Sequence, residues 1–207
     1  FGRYALAAML ASGLYVLLTP IFNVIFPRMS AFVAIGDTQG LIGFYRTGTR
    51  WLSAALFPLA TALAFLSHDL VLLWTGNADL ATSVAPIVSL LVLGTAMNGA
   101  MHFPYALQLA YGMTRLPLMI NTVLMTILVP AIILLASRYG AIGGAAAWAI
   151  LNLLYLLFGT WLTHRHLLKG YACKWLFSDV GMPLAASILI VGSGVRIVFD
   201  MAYPLYT

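Results

Sequence analysis

The stretch SVAPIVSLLVLGTAMNGAMHFPYALQLAY, residues 83–111, decides the fold. It holds no Asp, Glu, Lys or Arg, and the charge-free gap continues outward from Asp79 to Arg115. About 20 apolar residues carry a helix across a bilayer core, whereas a barrel strand needs only about 9–11 and alternates polar side chains inward. Residues 83–111 are too long and too uniformly apolar for a strand, so they read as a transmembrane helix. Working outward, further charge-free gaps cover 4–27, 51–68, 116–137 and 139–164, with a weaker one at 180–195. Six helices are therefore expected, at 5–27, 51–74, 83–111, 116–137, 143–163 and 180–199. Turn signals fall between them at Gly36-Asp37, Gly76-Asn77, Gly112 to Pro117 and Gly140 to Gly144. Pro183, Gly192, Gly194 and Arg196 make the last span the weakest. Segment 31–46 is apolar but broken by Gly, with Asp37 and Arg46 inside it, so it is expected as an interfacial helix. The fold class expected is all-α: a polytopic transmembrane helix bundle of about six spans.

Composition agrees. The chain of 207 residues is 63% hydrophobic and 7% charged, and its mean hydropathy is +1.01. A soluble domain carries about 25% charged residues. Ten basic and five acidic side chains could not cover the surface of a soluble fold this size. All five acids are Asp, and the chain has no Glu.

The basic residues set an orientation, because cytoplasmic loops are enriched in Lys and Arg. With 28–50 inside, alternation places Arg28, Arg46, Arg50, Arg115, Arg165, Lys169 and Lys174 inside, and leaves Arg3, Arg138 and Arg196 outside. Asp69 and Asp79 then lie outside around Trp74, which suits an interface belt, and Gly76, which suits a helix C-cap. The net charge of +5 is thus mostly topological, and nothing in it points to nucleic acid. Phe1-Gly2-Arg3-Tyr4 does not resemble a signal peptide. The expectation is a fragment of a longer chain with at least one helix upstream. Cys173 stands alone, so no disulfide or metal cluster is expected. His164-Arg165-His166 reads as a solvated loop, since residues two apart on a helix face different ways. Gly140 to Ala147 reads as small-residue helix packing; it lacks the Lys and Ser/Thr of a nucleotide loop.

Polar residues at membrane depth are costly and turn toward a bundle interior or a wet cavity. Thr95, Asn98, His102 and Tyr105 form one stripe, being spaced 3, 4 and 3 apart, and Pro104 beside them is expected to kink the helix. The stripe admits two readings: cavity lining, or hydrogen bonds to a neighbouring helix. Similar sets are Ser12, Tyr15, Thr19 and Asn23 with Pro20; Arg50, Ser53 and Thr61 with Pro58; and Trp148, Asn152 and Tyr155, with Asn121 on another helix. Recurrence across several helices favours a shared polar lumen. Isolated Ser and Thr more often bond their own i−4 carbonyl.

No enzyme signature is present: no paired carboxylates within a span, no GxSxG, no metal-spaced His/Cys set. An acid-free core leaves a cationic substrate without a counter-charge. Basic residues at the inner mouth would instead attract an anionic headgroup such as a diphosphate. The candidate substrate-binding residues are Arg28, Arg50, Asn98, His102 and Tyr105, with no catalytic residue, metal or cofactor. Arg28 and Arg50 lead the arginines because each abuts a helix with a polar stripe. Rival readings are a multidrug or cation antiporter, which would need intramembrane carboxylates, and a membrane glycosyltransferase or glycan ligase, which would need a large outer loop.

A resemblance sharpens this. Gly2-Arg3-Tyr4-Ala5-Leu6-Ala7 precedes a span, followed by Phe26-Pro27-Arg28-Met29-Ser30 and Gly36-Asp37. Then come Leu73-Trp74-Thr75-Gly76, Pro104 with Tyr111-Gly112, and Tyr139-Gly140-Ala141-Ile142-Gly143-Gly144-Ala145-Ala146. This order resembles the polysaccharide biosynthesis, or lipid-linked oligosaccharide (O-antigen repeat-unit type) flippase, family of the multidrug/oligosaccharidyl-lipid/polysaccharide exporter superfamily. The likeness runs over nearly the whole chain, through Gly, Pro and aromatic punctuation. It implies the C-terminal part of a two-lobe exporter. Residues 1–163 would match helices eight to twelve, 164–179 a cytoplasmic linker, and 180–207 an additional transmembrane helix and tail. It further implies alternating access in the bacterial inner membrane, a polyprenyl-diphosphate-linked glycan as cargo, and a separate N-terminal lobe as partner.

Overall fold

The computed structural model describes the backbone of residues 2–202 and side chains as far as residue 195. The side chain of Arg196 and the tail after Ala202 lie outside the described residues. The fold is helical, with no strand among the described residues. Helix α1 covers Gly2–Ala34 and α2 covers Thr38–Phe65, which α3, Ser67–Thr75, continues after a bend of 66°. Helix α4, Ala78–Ala100, passes into α5, His102–Ala110, across Met101. Helix α6 covers Arg115–Leu154 and runs through a π turn at Tyr155–Gly159 into α7, Thr160–His166. A short α8, Ala172–Lys174, leads through a second π turn, Trp175–Gly181, into α9, Met182–Ala202. Four helical stretches are long and apolar enough to cross a membrane, and five if the bent α2–α3 pair counts as one span.

The turn signals act as expected. Asp37 caps α2 by accepting from the Gly40 amide at 2.8 Å. Gly76 closes α3 in the left-handed conformation, and Asn77 caps α4 by accepting from the Leu80 amide at 2.9 Å. Gly140 takes φ 61° and ψ −138°, a region open essentially to Gly alone. There α6 doubles back: Gly143 lies against the Leu135 carbonyl. Leu116, Ile120, Leu124 and Leu128 of the first limb pack on Ala147 and Leu151 of the second. Pro104 lacks the N–H that would bond the Ala100 carbonyl, and the chain breaks at Met101 as the sequence predicts.

Two expectations need correction. Segment 31–46 is not an interfacial helix: its two halves are the end of α1 and the start of α2, joined by the turn at Ile35 to Asp37. With 33 residues, α1 is roughly 50 Å long at 1.5 Å per residue, well beyond a 30 Å core. Both helices therefore overshoot the apolar layer, and Arg46 and Arg50 stand on the shaft of α2. Segment 164–179 does not lie free of the fold, since Trp175 and Asp179 are fully buried. Nor is His164 solvated: it is 1% exposed, since the helix continues to His166 and turns position 164 inward while Arg165 and His166 face out.

Helix α4 is the centre of the bundle, touching α1, α2, α3 and α6. Lipid gives apolar helices little reason to associate, so close packing must supply the adhesion. Gly99 provides it. A Cβ there would sit 2.7 Å from a Leu56 methyl and 2.9 Å from one of Leu18, so α1 and α2 both close onto α4 at this residue. The outer surface stays apolar, with Val16, Trp51, Leu73, Leu118, Ile133 and Leu189 all exposed. Patches of this extent suit a hydrocarbon surround.

Candidate functional site

Two polar assemblies interrupt this apolar interior. The first is a cavity of about 260 Å³ lined by Tyr15 of α1, Asn98 of α4, Met101 at the break, His102 and Tyr105 of α5, Asn121 of α6, and Tyr155 in the π turn. Three of the five candidate residues thus meet around one space, joined by side chains from two other predicted stripes. Tyr15 donates to Asn98 Oδ1 at 3.4 Å, and Asn98 Nδ2 donates to Asn152 Oδ1 at 2.9 Å. Asn152 Nδ2 donates in turn to the Trp148 carbonyl at 2.9 Å, while Trp148 Nε1 donates to Thr95 Oγ1 at 3.4 Å. Both readings of the stripe hold at Asn98, which bonds across helices and also lines the cavity.

His102 Nδ1 lies 2.9 Å from the Gly99 carbonyl. A carbonyl only accepts, so Nδ1 carries the proton and Nε2 is left as an acceptor in the neutral ring. Phe22 orders this wall: its ring meets His102 edge-on at 5.8 Å and stacks on Tyr105 at 5.7 Å. Sequence reading passed over Phe22, whose apolar side chain gives no polar signal. Ser12 and Thr19 fall away, bonding the carbonyls of Met9 and Tyr15 on their own helix. The cavity walls are neutral hydroxyl, amide and imidazole, a set that pairs with hydroxyls rather than with charge.

The second assembly lies where α2 meets the second π turn. Asp179, whose side chain is fully buried, accepts from Arg46 Nε at 2.8 Å and Nη2 at 3.0 Å, and from Arg50 Nε at 2.7 Å. Arg50 Nη2 also donates to Ser178 Oγ at 3.2 Å. One carboxylate thus holds two guanidinium groups and leaves an excess positive charge. Beside it, Trp175 Nε1 donates to Thr49 Oγ1 at 3.0 Å. Tyr45 Oη lies 3.1 Å from His164 Nε2, and His164 Nδ1 lies 2.8 Å from the Thr160 carbonyl. The carbonyl assigns the His164 proton to Nδ1, so Tyr45 donates to Nε2.

The remaining two candidates therefore stand apart from the cavity. Arg50 belongs to this ion cluster, and its side chain remains 51% exposed. Arg28 is exposed near the end of α1, 5.8 Å from the centre of the Phe44 ring. The expectation of an acid-free interior is corrected: Asp179 is buried, though both its oxygens are bonded to arginine. Arg46, which is not among the candidate residues, holds Asp179 most fully. Its spacing of four from Arg50, which puts both on one helix face, was the available signal.

No family model, no curated protein and no solved structure matches the chain.

Proposed function

We propose that the chain is the C-terminal part of a flippase that carries a polyprenyl-diphosphate-linked oligosaccharide across the bacterial inner membrane. On this reading the bent α2–α3 pair is one pass and the two limbs of α6 are separate passes, making six. The protein acts by alternating access, without chemistry or cofactor, and a second lobe completes the path.

The observation that carries the reading is the division of labour between the two assemblies. A neutral cavity built from Asn98, His102, Tyr105 and Tyr15 suits sugar hydroxyls. The excess charge at Arg46 and Arg50 suits the diphosphate end of the same molecule. No charged side chain lines the cavity, which disfavours a cation antiporter using this part of the chain.

The test is translocation of a fluorescent polyprenyl-diphosphate glycan by the full-length transporter in proteoliposomes. Tyr105→Ala and His102→Ala are expected to slow it about tenfold or more, taking one or two lost hydrogen bonds at about 1 kcal/mol each with the added loss of cavity shape. Wild-type rates for both variants, at equal reconstituted amounts, would remove the cavity from the transport path.

A further inference from the structure

A third space lies at the end of α7 and shares His164 with the second assembly. It is a cavity of about 660 Å³, and its wall includes Trp161, Arg165, His166, Lys169 and Gly170. None of its lining residues is acidic. Among the described residues, neither Arg165 nor Lys169 forms an ion pair. Asp179, the buried acid of the neighbouring π turn, already accepts from Arg46 and Arg50. The site therefore has positive charge that the protein itself does not neutralise. The Arg165 guanidinium is fixed 5.2 Å from the centre of the Trp161 ring, a cation–π contact that holds it at the level of an exposed aromatic. Trp161 is 49% exposed, as befits a side chain at a membrane–water interface.

What lies next to this cavity identifies the ligand. One helical turn back along the same rod begins a groove of about 320 Å³ between the limb 115–139 and the segment 154–162. Ile120, Val123, Ile127, Leu154, Phe158 and Leu162 line it, with no polar side chain in its walls. Phe158, Trp161 and Arg165 are spaced 3 and 4 apart and share one helix face. An apolar groove and an uncompensated basic pocket on successive turns of one helix have together the two-part chemistry of a lipid. A free phosphate would have no use for the groove, and an uncharged lipid none for the cations.

We propose that the α7 pocket and the groove between the limbs bind one anionic glycerophospholipid, its phosphate against Arg165 and Lys169 and an acyl chain along Val123, Ile127 and Phe158. The assignment rests on the chain lying in a bilayer and not on what it transports. Cations near an anionic surface are worth about fivefold in affinity each, so two give about 25-fold.

The test is native mass spectrometry of the full chain in detergent, titrated separately with phosphatidylglycerol, phosphatidylcholine and inorganic phosphate. Phosphatidylglycerol is expected to bind the wild type more tightly than phosphatidylcholine and to resist displacement by phosphate. Arg165→Gln with Lys169→Gln should weaken it about 25-fold. The exchange Arg165→Lys with Lys169→Arg should keep most of the affinity and serves as the folding control. Val123→Trp, at an exposed position that tolerates bulk, should fill the groove and also weaken binding. Equal affinity for the two lipids, an unchanged constant in the Gln variant, or release by equimolar phosphate would each overturn the proposal.

Discussion

Arg46 and Asp179, 133 residues apart in the chain, meet through two parallel hydrogen bonds of 2.8 and 3.0 Å. The fork matches guanidinium to carboxylate, and it fastens α2 to the turn that begins the last helix. Because the Asp179 side chain is fully buried and that of Arg46 only 16% exposed, removing Asp179 strands a guanidinium, and removing Arg46 leaves the buried carboxylate only the half-exposed Arg50. Asp179→Ala or Arg46→Ala is expected to cost about 3 kcal/mol of stability. Arg50→Ala should cost under about 1 kcal/mol, since half of that side chain reaches solvent. Unfolding of the three variants in mixed micelles ranks them, and equal losses for Arg46 and Arg50 would contradict the geometry.

Asn152 is the midpoint of the polar chain through the bundle, accepting from Asn98 and donating to the Trp148 carbonyl. Asn152→Leu keeps the branched shape but leaves Asn98 Nδ2 without its acceptor. Interhelical hydrogen bonds in membranes average about 0.6 kcal/mol, with a ceiling near 1.7. A loss of about 1 kcal/mol is expected on unfolding in denaturing detergent, and Asn98→Leu combined with Asn152→Leu should cost less than the sum of the two. Strict additivity would mean that the two amides do not communicate.

Gly140 reverses the chain with a backbone conformation that L side chains rarely adopt. Gly140→Ala should therefore destabilise by about 1–3 kcal/mol. Gly144 is the internal comparison: a Cβ there would meet only Tyr4, at 3.5 Å, in ordinary contact. Gly144→Ala is expected to leave the unfolding midpoint nearly unchanged. Matching shifts for the two substitutions would refute a conformational origin.

Cys173 is exposed and is the single cysteine of the chain. It is next to Lys174 and six residues from Asp179, so the orientation proposed above would put it on the cytoplasmic side. A membrane-impermeant maleimide should label it in inverted vesicles and spare it in right-side-out spheroplasts. The reverse pattern would invert the topology.

Local signals carried much of the fold. The absence of charge from 83 to 111, the Gly76 and Asn77 caps and the Pro104 break each act within a few residues of themselves. The stripe of Asn98, His102 and Tyr105 was legible for the same reason, because helical spacing alone brings such residues to one face. Helix overshoot was not legible. Nothing in the composition of 28–50 separates a loop from two helices extending past the apolar layer, since the capping side chain of Asp37 decides it. Nor was the burial of Asp179 or His164 legible. Asp179 is itself a charged side chain and His164 sits beside Arg165, and their partners, Arg46 and Tyr45, are more than a hundred residues away.

The doubling-back at Gly140 has a mechanical consequence for the cavity. Tyr15, Asn98, His102 and Tyr105 stand on helices whose buried residues form the main core, but Asn121 stands on the first limb of α6. That limb's own buried residues, Leu116 to Leu128, belong to the smaller cluster shared with its partner limb. Three sides of the chamber share one foundation, and the fourth stands on another, joined to its partner limb through a single glycine. The wall at Asn121 thus rests on the smaller cluster, while the other helices of the chamber rest on the main core that closes at Gly99.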